Sequence, residues 1–147
     1  MKLEGDKMNN VKRSISIKLV GALIVFIAIG LAGGAWASYE HQSNNANSVR
    51  VDVLPVQLSS EKPAKFEIRL NTHSVPLDYD LVAVSLLKDD QGSEYRASTW
   101  NGSPAGGHHR SGVLEFPAIG KDAKSIILYI KDIADVPERT FEWKLEK

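Results

Sequence analysis

The chain has 147 residues, of which 43% are hydrophobic and 24% charged, which fits one globular domain and excludes a collagen-like, coiled-coil or wholly disordered protein. Residues 1–37 carry five basic and two acidic groups, so residues 38–147 carry 13 basic and 16 acidic groups. An acidic folded part argues against nucleic acid as a partner. The lack of cysteine in the sequence excludes disulfides, thiolate metal sites and a lipid-modified cysteine.

Residues 19–37 form an uncharged apolar run that follows a basic n-region, residues 1–18. As a helix, this run would reach ~28 Å, about the hydrocarbon thickness of a bilayer. The basic flank predicts that the n-region stays in the cytoplasm and that the rest of the chain crosses the membrane. We therefore predict a single-pass anchor in the cytoplasmic membrane. The alternative is a signal segment cleaved behind Ala37, which would leave a secreted or periplasmic protein.

Residues 38–48 are polar, rich in Asn and Ser, and without apolar periodicity, which predicts a linker. Residues 49–147 have a different pattern from the segment before them. Apolar and polar residues alternate strictly in residues 65–70 and 140–145, and a period of two is typical of strands with one buried face.

Two runs, residues 81–87 and 126–130, are apolar on both sides and predict central strands. Pro55 predicts an edge or bulged strand over residues 50–58. Shorter candidates bring the count to about seven strands, and turn residues such as those at 89–92 separate them. The predicted fold of residues 49–147 is an all-β, antiparallel, immunoglobulin-like β-sandwich, preceded by one N-terminal transmembrane or signal helix.

Two segments with unusual composition interrupt the strand pattern. Residues 71–80 and residues 100–112 are predicted loops, and the second contains four glycines, two adjacent histidines, an arginine and a tryptophan. Loops of a sandwich cluster at its ends, so we expect these two to lie side by side. Functional residues are often displayed on such loops. We therefore predict that the second loop binds a partner through Trp100, Gly106, Gly107 and Arg110.

Three of the four histidines of the chain lie in these two loops. Zinc and copper(II) bind imidazole and carboxylate groups and need three or four donors, so a Zn or Cu(II) site is predicted as an alternative function. Its candidate ligands are His73, His108, His109, Asp78 and Asp80. In the structural interpretation, one histidine instead packs against Trp100 and the other faces water. The only methionines, Met1 and Met8, precede the apolar run, which argues against Cu(I).

The sequence contains no recognisable catalytic motif. A G-x-S-x-G elbow, an H-E-x-x-H pair and a Gly-rich nucleotide loop are all absent from it, so we expect no enzymatic activity. The spacing of a calcium-binding EF-hand is absent as well. Arg110 and Arg139 are expected to pair with acidic groups of the domain, with an anionic ligand as the alternative partner.

Several motifs together resemble a family of small exported prokaryotic β-sandwich domains. They are Thr72-His73-Ser74, Asp80-Leu81, the element W-x-G-x-x-x-G-G-H-H-R-x-G that begins at Trp100, and P-E-R-x-F-x-W that begins at Pro137. The resemblance covers residues 63–146 and implies an exported sandwich, but it supplies no chemistry. A looser likeness, in architecture and histidine content, is to periplasmic copper-handling β-sandwich proteins.

Together these patterns predict a membrane-tethered or secreted module that works outside the cytoplasm. Its predicted role is binding or interaction, with an extracytoplasmic protein or a small ligand as the partner. The N-terminal helix would provide its contact with the membrane.

Overall fold

The computed structural model describes residues 38–146, which form nine β-strands. The predicted n-region (residues 1–18) and the predicted anchor or signal segment (residues 19–37) lie outside these residues. Between residues 38 and 146, no helix is long and apolar enough to cross a membrane. The strands are β1 (Gln42–Ala46), β2 (Val49–Gln57), β3 (Ala64–Thr72), β4 (Ser85–Asp89), β5 (Glu94–Arg96), β6 (Thr99–Gly102), β7 (His109–Phe116), β8 (Ser125–Ile133) and β9 (Val136–Lys144).

The strands form two sheets in which every pairing is antiparallel. One sheet has five strands in the order β1-β2-β3-β7-β6, and the other has four in the order β5-β4-β8-β9. The all-β, antiparallel prediction is confirmed for this part of the chain. The strand count is nine rather than about seven.

The alternating residues form a core shared by the two sheets. Phe66 of β3 is fully buried, and Phe141 and Trp143 of β9 are almost fully buried. The ring centroids of Phe66 and Trp143 lie 5.6 Å apart, so aromatic side chains from opposite sheets are in direct contact. Burial of large aromatic side chains supplies much of the hydrophobic stabilisation of a small domain.

Two local predictions about turns and bulges are confirmed. The pairing of β2 with β3 shifts register between Pro55 and Gln57, as expected for a bulge, although β2 lies inside its sheet. Residues 90–93 connect β4 to β5, and Gly92 adopts a φ of 88°, which glycine reaches without steric cost.

The segment predicted as a linker contains strand β1 and is bonded to both sheets. β1 pairs with β2, and the Gln42 side chain bonds the backbone N–H and C=O of Glu142 in β9. The Trp143 indole N–H donates to the carbonyl of Glu40 at 2.7 Å. We call residues 40–47 the strap. The sequence does not predict the strap, because the inward positions of the strap make hydrogen bonds instead of apolar contacts. No apolar alternation therefore marks this strand.

The strand predicted over residues 81–87 begins only at Ser85. Residues 81–84 form a turn, in which the Val84 N–H donates to the Asp80 carbonyl at 3.1 Å. The Asp80 carboxylate also accepts the N–H groups of Val82 and Ala83. A short run that is apolar on both sides does not by itself specify a buried strand, and here the Asp80 cap favours a turn in which only Leu81 is buried.

Candidate interaction surface

The predicted loop over residues 100–112 is a hairpin formed by the ends of β6 and β7. Gly102 faces Gly112 across the two strands, and the Trp100 side chain lies against both. A Cβ atom built on Gly112 would lie 2.4 Å from the Gly102 Cα, so no larger residue fits without a shift. The W-x-G and R-x-G parts of the motif therefore allow a close strand pairing that is covered by an indole ring.

The connecting residues 103–108 lie against residues 73–80, as the sequence predicts. The Leu77 N–H donates to the Gly107 carbonyl at 3.1 Å, and the Gly106 N–H donates to the Leu77 carbonyl at 2.9 Å. Both glycines have positive φ values of 107° and 71°, which explains why glycine occupies these positions. Gly106 and Gly107 thus hold the two loops together through the backbone.

Arg110 also joins the two loops, and it does so without a carboxylate partner. It is only 4% exposed, and its guanidinium donates to the carbonyls of Leu77 and Tyr79 at 3.0 and 2.6 Å. Burial lowers the pKa of Arg110, and the nearby charges of Asp78 and Asp80 oppose that shift. The expected ion pair is replaced by hydrogen bonds to the backbone, which are a common means of satisfying a buried cation.

Arg139 differs from its prediction in the same way. It is 1% exposed and donates to backbone carbonyls on β1, on β2 and at Ile133, and to the side-chain oxygen of Asn44. No carboxylate lies within ion-pair distance of Arg110 or Arg139 in residues 38–146. Both arginines hold the fold together from inside, so neither is available for a ligand.

The candidate metal ligands are only partly brought together. The imidazole rings of His73 and His109 have centroids 6.3 Å apart and planes at 83°. His108 contributes its backbone carbonyl, which accepts the Thr72 N–H at 3.0 Å. Across residues 38–146, no group of three or more His, Asp or Glu side chains is arranged to hold a metal ion. The five candidates therefore do not form one cluster.

The two aspartates of the candidate set have structural surroundings. Asp80 caps the turn over residues 81–84, and its carboxylate accepts two backbone N–H groups. An Asp78 carboxylate oxygen would lie 3.4 Å from a Cβ built on Gly106, so Asp78 lies beside the loop contact. These positions place both carboxylates near Arg110, whose pKa they influence.

The outward side of the five-stranded sheet carries a mostly polar surface, interrupted by Leu54 and Val113, that the sequence pattern does not single out. Alternate residues of β2, β3 and β7 point away from the core, and we call the following set the outer face: Arg50, Asp52, Leu54, Lys65, Glu67, Arg69, Asn71, His109, Ser111 and Glu115. The alternation in residues 65–70 indicates these outward positions, but a polar face alone is the ordinary solvent side of a strand.

Three open depressions lie on or beside the outer face and share lining residues. One, of about 410 Å³, is lined by His41, Arg50, Asp52, Leu54, Glu67 and Arg69. A second, of about 260 Å³, also includes Glu67 and Arg69 and reaches His109. A third, of about 440 Å³, is lined by Arg50 and Asn71 and reaches His73. Together they cover the surface from the strap to the paired loops.

A hydrogen-bonded carboxylate lies in the depression of about 410 Å³. Asp52 is 8% exposed and accepts hydrogen bonds from Ser43 and Arg50, with the His41 ring nitrogen 3.5 Å away. Burial raises the pKa of Asp52, but the bonds from Ser43 and Arg50 lower it more, so the net pKa is below its usual value. Asp52 is thus held ionised and fixes Arg50 on the surface.

No protein-family model matches the chain, and neither the curated proteins nor the solved structures give a significant match. The resemblance based on the G-G-H-H-R element therefore stays a prediction.

Proposed function

We propose that this chain is an extracytoplasmic interaction module that is tethered to the membrane or released from it, and that its outer face binds another protein. The extracytoplasmic placement follows from the uncharged run at residues 19–37 and its basic flank. We further propose that the two sheets form a sandwich of the immunoglobulin-like class, preceded by a membrane or signal helix.

The single observation that carries the binding role is the set of connected depressions on the outer face. Arg50, Glu67 and Arg69 each line more than one of them. Asp52 bonds Arg50, and Glu67 bonds Arg69, which reduces the freedom of these long side chains before a partner arrives. Preorganised side chains lose less conformational entropy when they bind.

The shape of the surface favours a protein over a small molecule. Small ligands occupy deep and mostly apolar pockets, whereas these depressions are open and lined by charged groups. A protein partner covers about 800 Å² of each surface, an area that extends well beyond any one depression. Val56, two residues after Leu54 in β2, is 51% exposed and adds an apolar contact. The partner should present both acidic and basic groups, because the outer face carries both.

Photo-crosslinking in intact cells tests this proposal. A photoreactive amino acid at position 69 should give one discrete protein adduct, which Arg50→Glu should abolish. The matched control is position 140, because Thr140 is exposed on the outward side of the other sheet. Equal adducts from positions 69 and 140, or none from position 69, would contradict the proposal.

A further inference from the structure

His73 and His109 are close neighbours at the end of the outer face. His73 follows the last residue of β3, and His109 is the first residue of β7, directly opposite Asn71. Both histidines are exposed, and their ring centroids are 6.3 Å apart. We infer that this pair is a binding site for one divalent cation of the Zn²⁺ or Cu²⁺ class.

The separation of the rings is close to what a shared ion requires. With metal–nitrogen bonds of ~2.0–2.1 Å, two imidazoles on one tetrahedral ion have centroids roughly 5 Å apart. The rings of His73 and His109 must therefore approach by only about 1 Å, which exposed side chains achieve by small rotations.

Asn71 prepares His109 for this role. The Asn71 side-chain oxygen lies 2.9 Å from Nδ1 of His109. Because an amide oxygen only accepts hydrogen bonds, the ring donates from Nδ1, and the Nε2 lone pair is left for a metal. Metal-binding histidines commonly donate their other ring nitrogen to an oxygen in this way, which fixes the tautomer and the ring orientation.

The backbone holds the two histidines in register and separates them from the third. The Thr72 N–H donates to the His108 carbonyl, which fastens the end of β3 to the start of β7. His108 lies in the bend before β7, outside the strand that carries His109, and there its backbone carbonyl faces β3. Since no third ligand completes a cluster within residues 38–146, water fills the remaining positions, for which the depression beside His73 has room.

Titration of the full-length chain in detergent with Cu²⁺ alone tests the site. We expect about one Cu²⁺ per chain, bound through two imidazole nitrogens by electron paramagnetic resonance. His73→Ala and His109→Ala should each weaken binding about tenfold or more, and Asn71→Ala should weaken it by roughly tenfold. The matched controls, His41→Ala and His108→Ala, should bind as the wild type does.

Two results would overturn the site. One is unchanged binding in the His73→Ala/His109→Ala double variant. The other is an equal loss in His108→Ala, which would indicate a different ligand set. Circular dichroism of each variant without metal confirms that the fold is retained. The purified chain contains no partner protein, so this result is independent of the crosslinking experiment.

Discussion

Arg139 is the residue on which contact between the strap and the sandwich most depends. Its guanidinium reaches carbonyls at Ala46, Val49 and Ile133, and also binds Asn44. A buried carbonyl that loses its donor costs about 1–3 kcal/mol. Lysine cannot replace this geometry, because its ammonium donates from one point whereas the guanidinium donates from several.

We therefore expect Arg139→Lys to lower the free energy of unfolding by about 2 kcal/mol or more. The measurement is urea unfolding of residues 38–147. Arg96→Lys is the matched control, because Arg96 is exposed and should change stability by less than about 0.5 kcal/mol. Equal stability of Arg139→Lys and the wild type would refute this role.

The close strand pairing beneath Trp100 requires glycine at position 112. We expect Gly112→Ala to destabilise the domain by about 1–3 kcal/mol, because the added Cβ would lie 2.4 Å from the Gly102 Cα. Thermal unfolding measures the loss. The control is Ser111→Ala at the neighbouring exposed position, which should have little effect. A Gly112→Ala variant as stable as the control would show that the strands can separate at no cost.

The buried carboxylate Asp89 makes stability dependent on pH. Burial raises the pKa of Asp89, but hydrogen bonds from Tyr95, Ser93 and Gln91 lower it more, so the net pKa lies below its usual value. A lowered folded-state pKa stabilises the fold above the unfolded value of about 3.9, and this contribution is lost as pH falls through the folded value.

Asp89→Asn should therefore destabilise the domain at pH 7, and its difference from the wild type should shrink below about pH 4. Urea unfolding at a series of pH values follows the difference. Asp122→Asn, at an exposed carboxylate, is the control. A difference that stays constant from pH 7 to pH 2 would rule out Asp89 as the source.

At the scale of elements, the strap extends the folded domain toward the N-terminus, beyond the predicted boundary at residue 49. β1 supplies the outer strand of the five-stranded sheet, and Gln42 and Glu40 bond the last strand of the other sheet. A fragment that begins at residue 49 lacks these contacts and leaves Arg139 without its acceptors on β1.

We expect residues 38–147 to unfold cooperatively and residues 49–147 to be destabilised by several kcal/mol or to remain unfolded, because buried donors lose their partners. Thermal unfolding followed by circular dichroism compares the two fragments. A double variant, Gln42→Ala/Asn44→Ala, in the longer fragment should give an intermediate loss. Matching transitions for the two fragments would contradict a structural role for the strap.

The sequence predicted elements whose apolar residues alternate and missed those held by polar bonds. Phe66, Phe141 and Trp143 follow a period of two and are buried as expected. The strap lacks that pattern because Arg139 and Trp143 bond its backbone, and long-range hydrogen bonds leave no local signature.

The candidate site, too, could be predicted from the sequence only in part. The unusual composition of residues 71–80 and 100–112 correctly predicted that these segments meet, because glycine-rich turns and a buried arginine serve a specific contact. The outer face went unpredicted, since its members come from separate strands and become neighbours only through the register. His108 ends the connecting loop and His109 begins β7, a boundary that composition cannot reveal.

At the scale of the whole molecule, the proposals depend on the placement of residues 38–147 outside the cytoplasm. The strap begins within three residues of the predicted anchor or cleavage site at Ala37. Both the tethered form and the cleaved form would therefore retain every strap residue, and both would present the same outer face.

A topology reporter fused after Lys147 tests the central claim that the module works outside the cytoplasm. In a bacterial host, we expect alkaline phosphatase at this position to be active and a fluorescent protein that folds only in the cytoplasm to be dark, because the basic flank directs the C-terminal part across the membrane. Replacing Lys12, Arg13 and Lys18 with Glu should lower the phosphatase activity. An inactive phosphatase together with a bright fluorescent fusion would contradict the account.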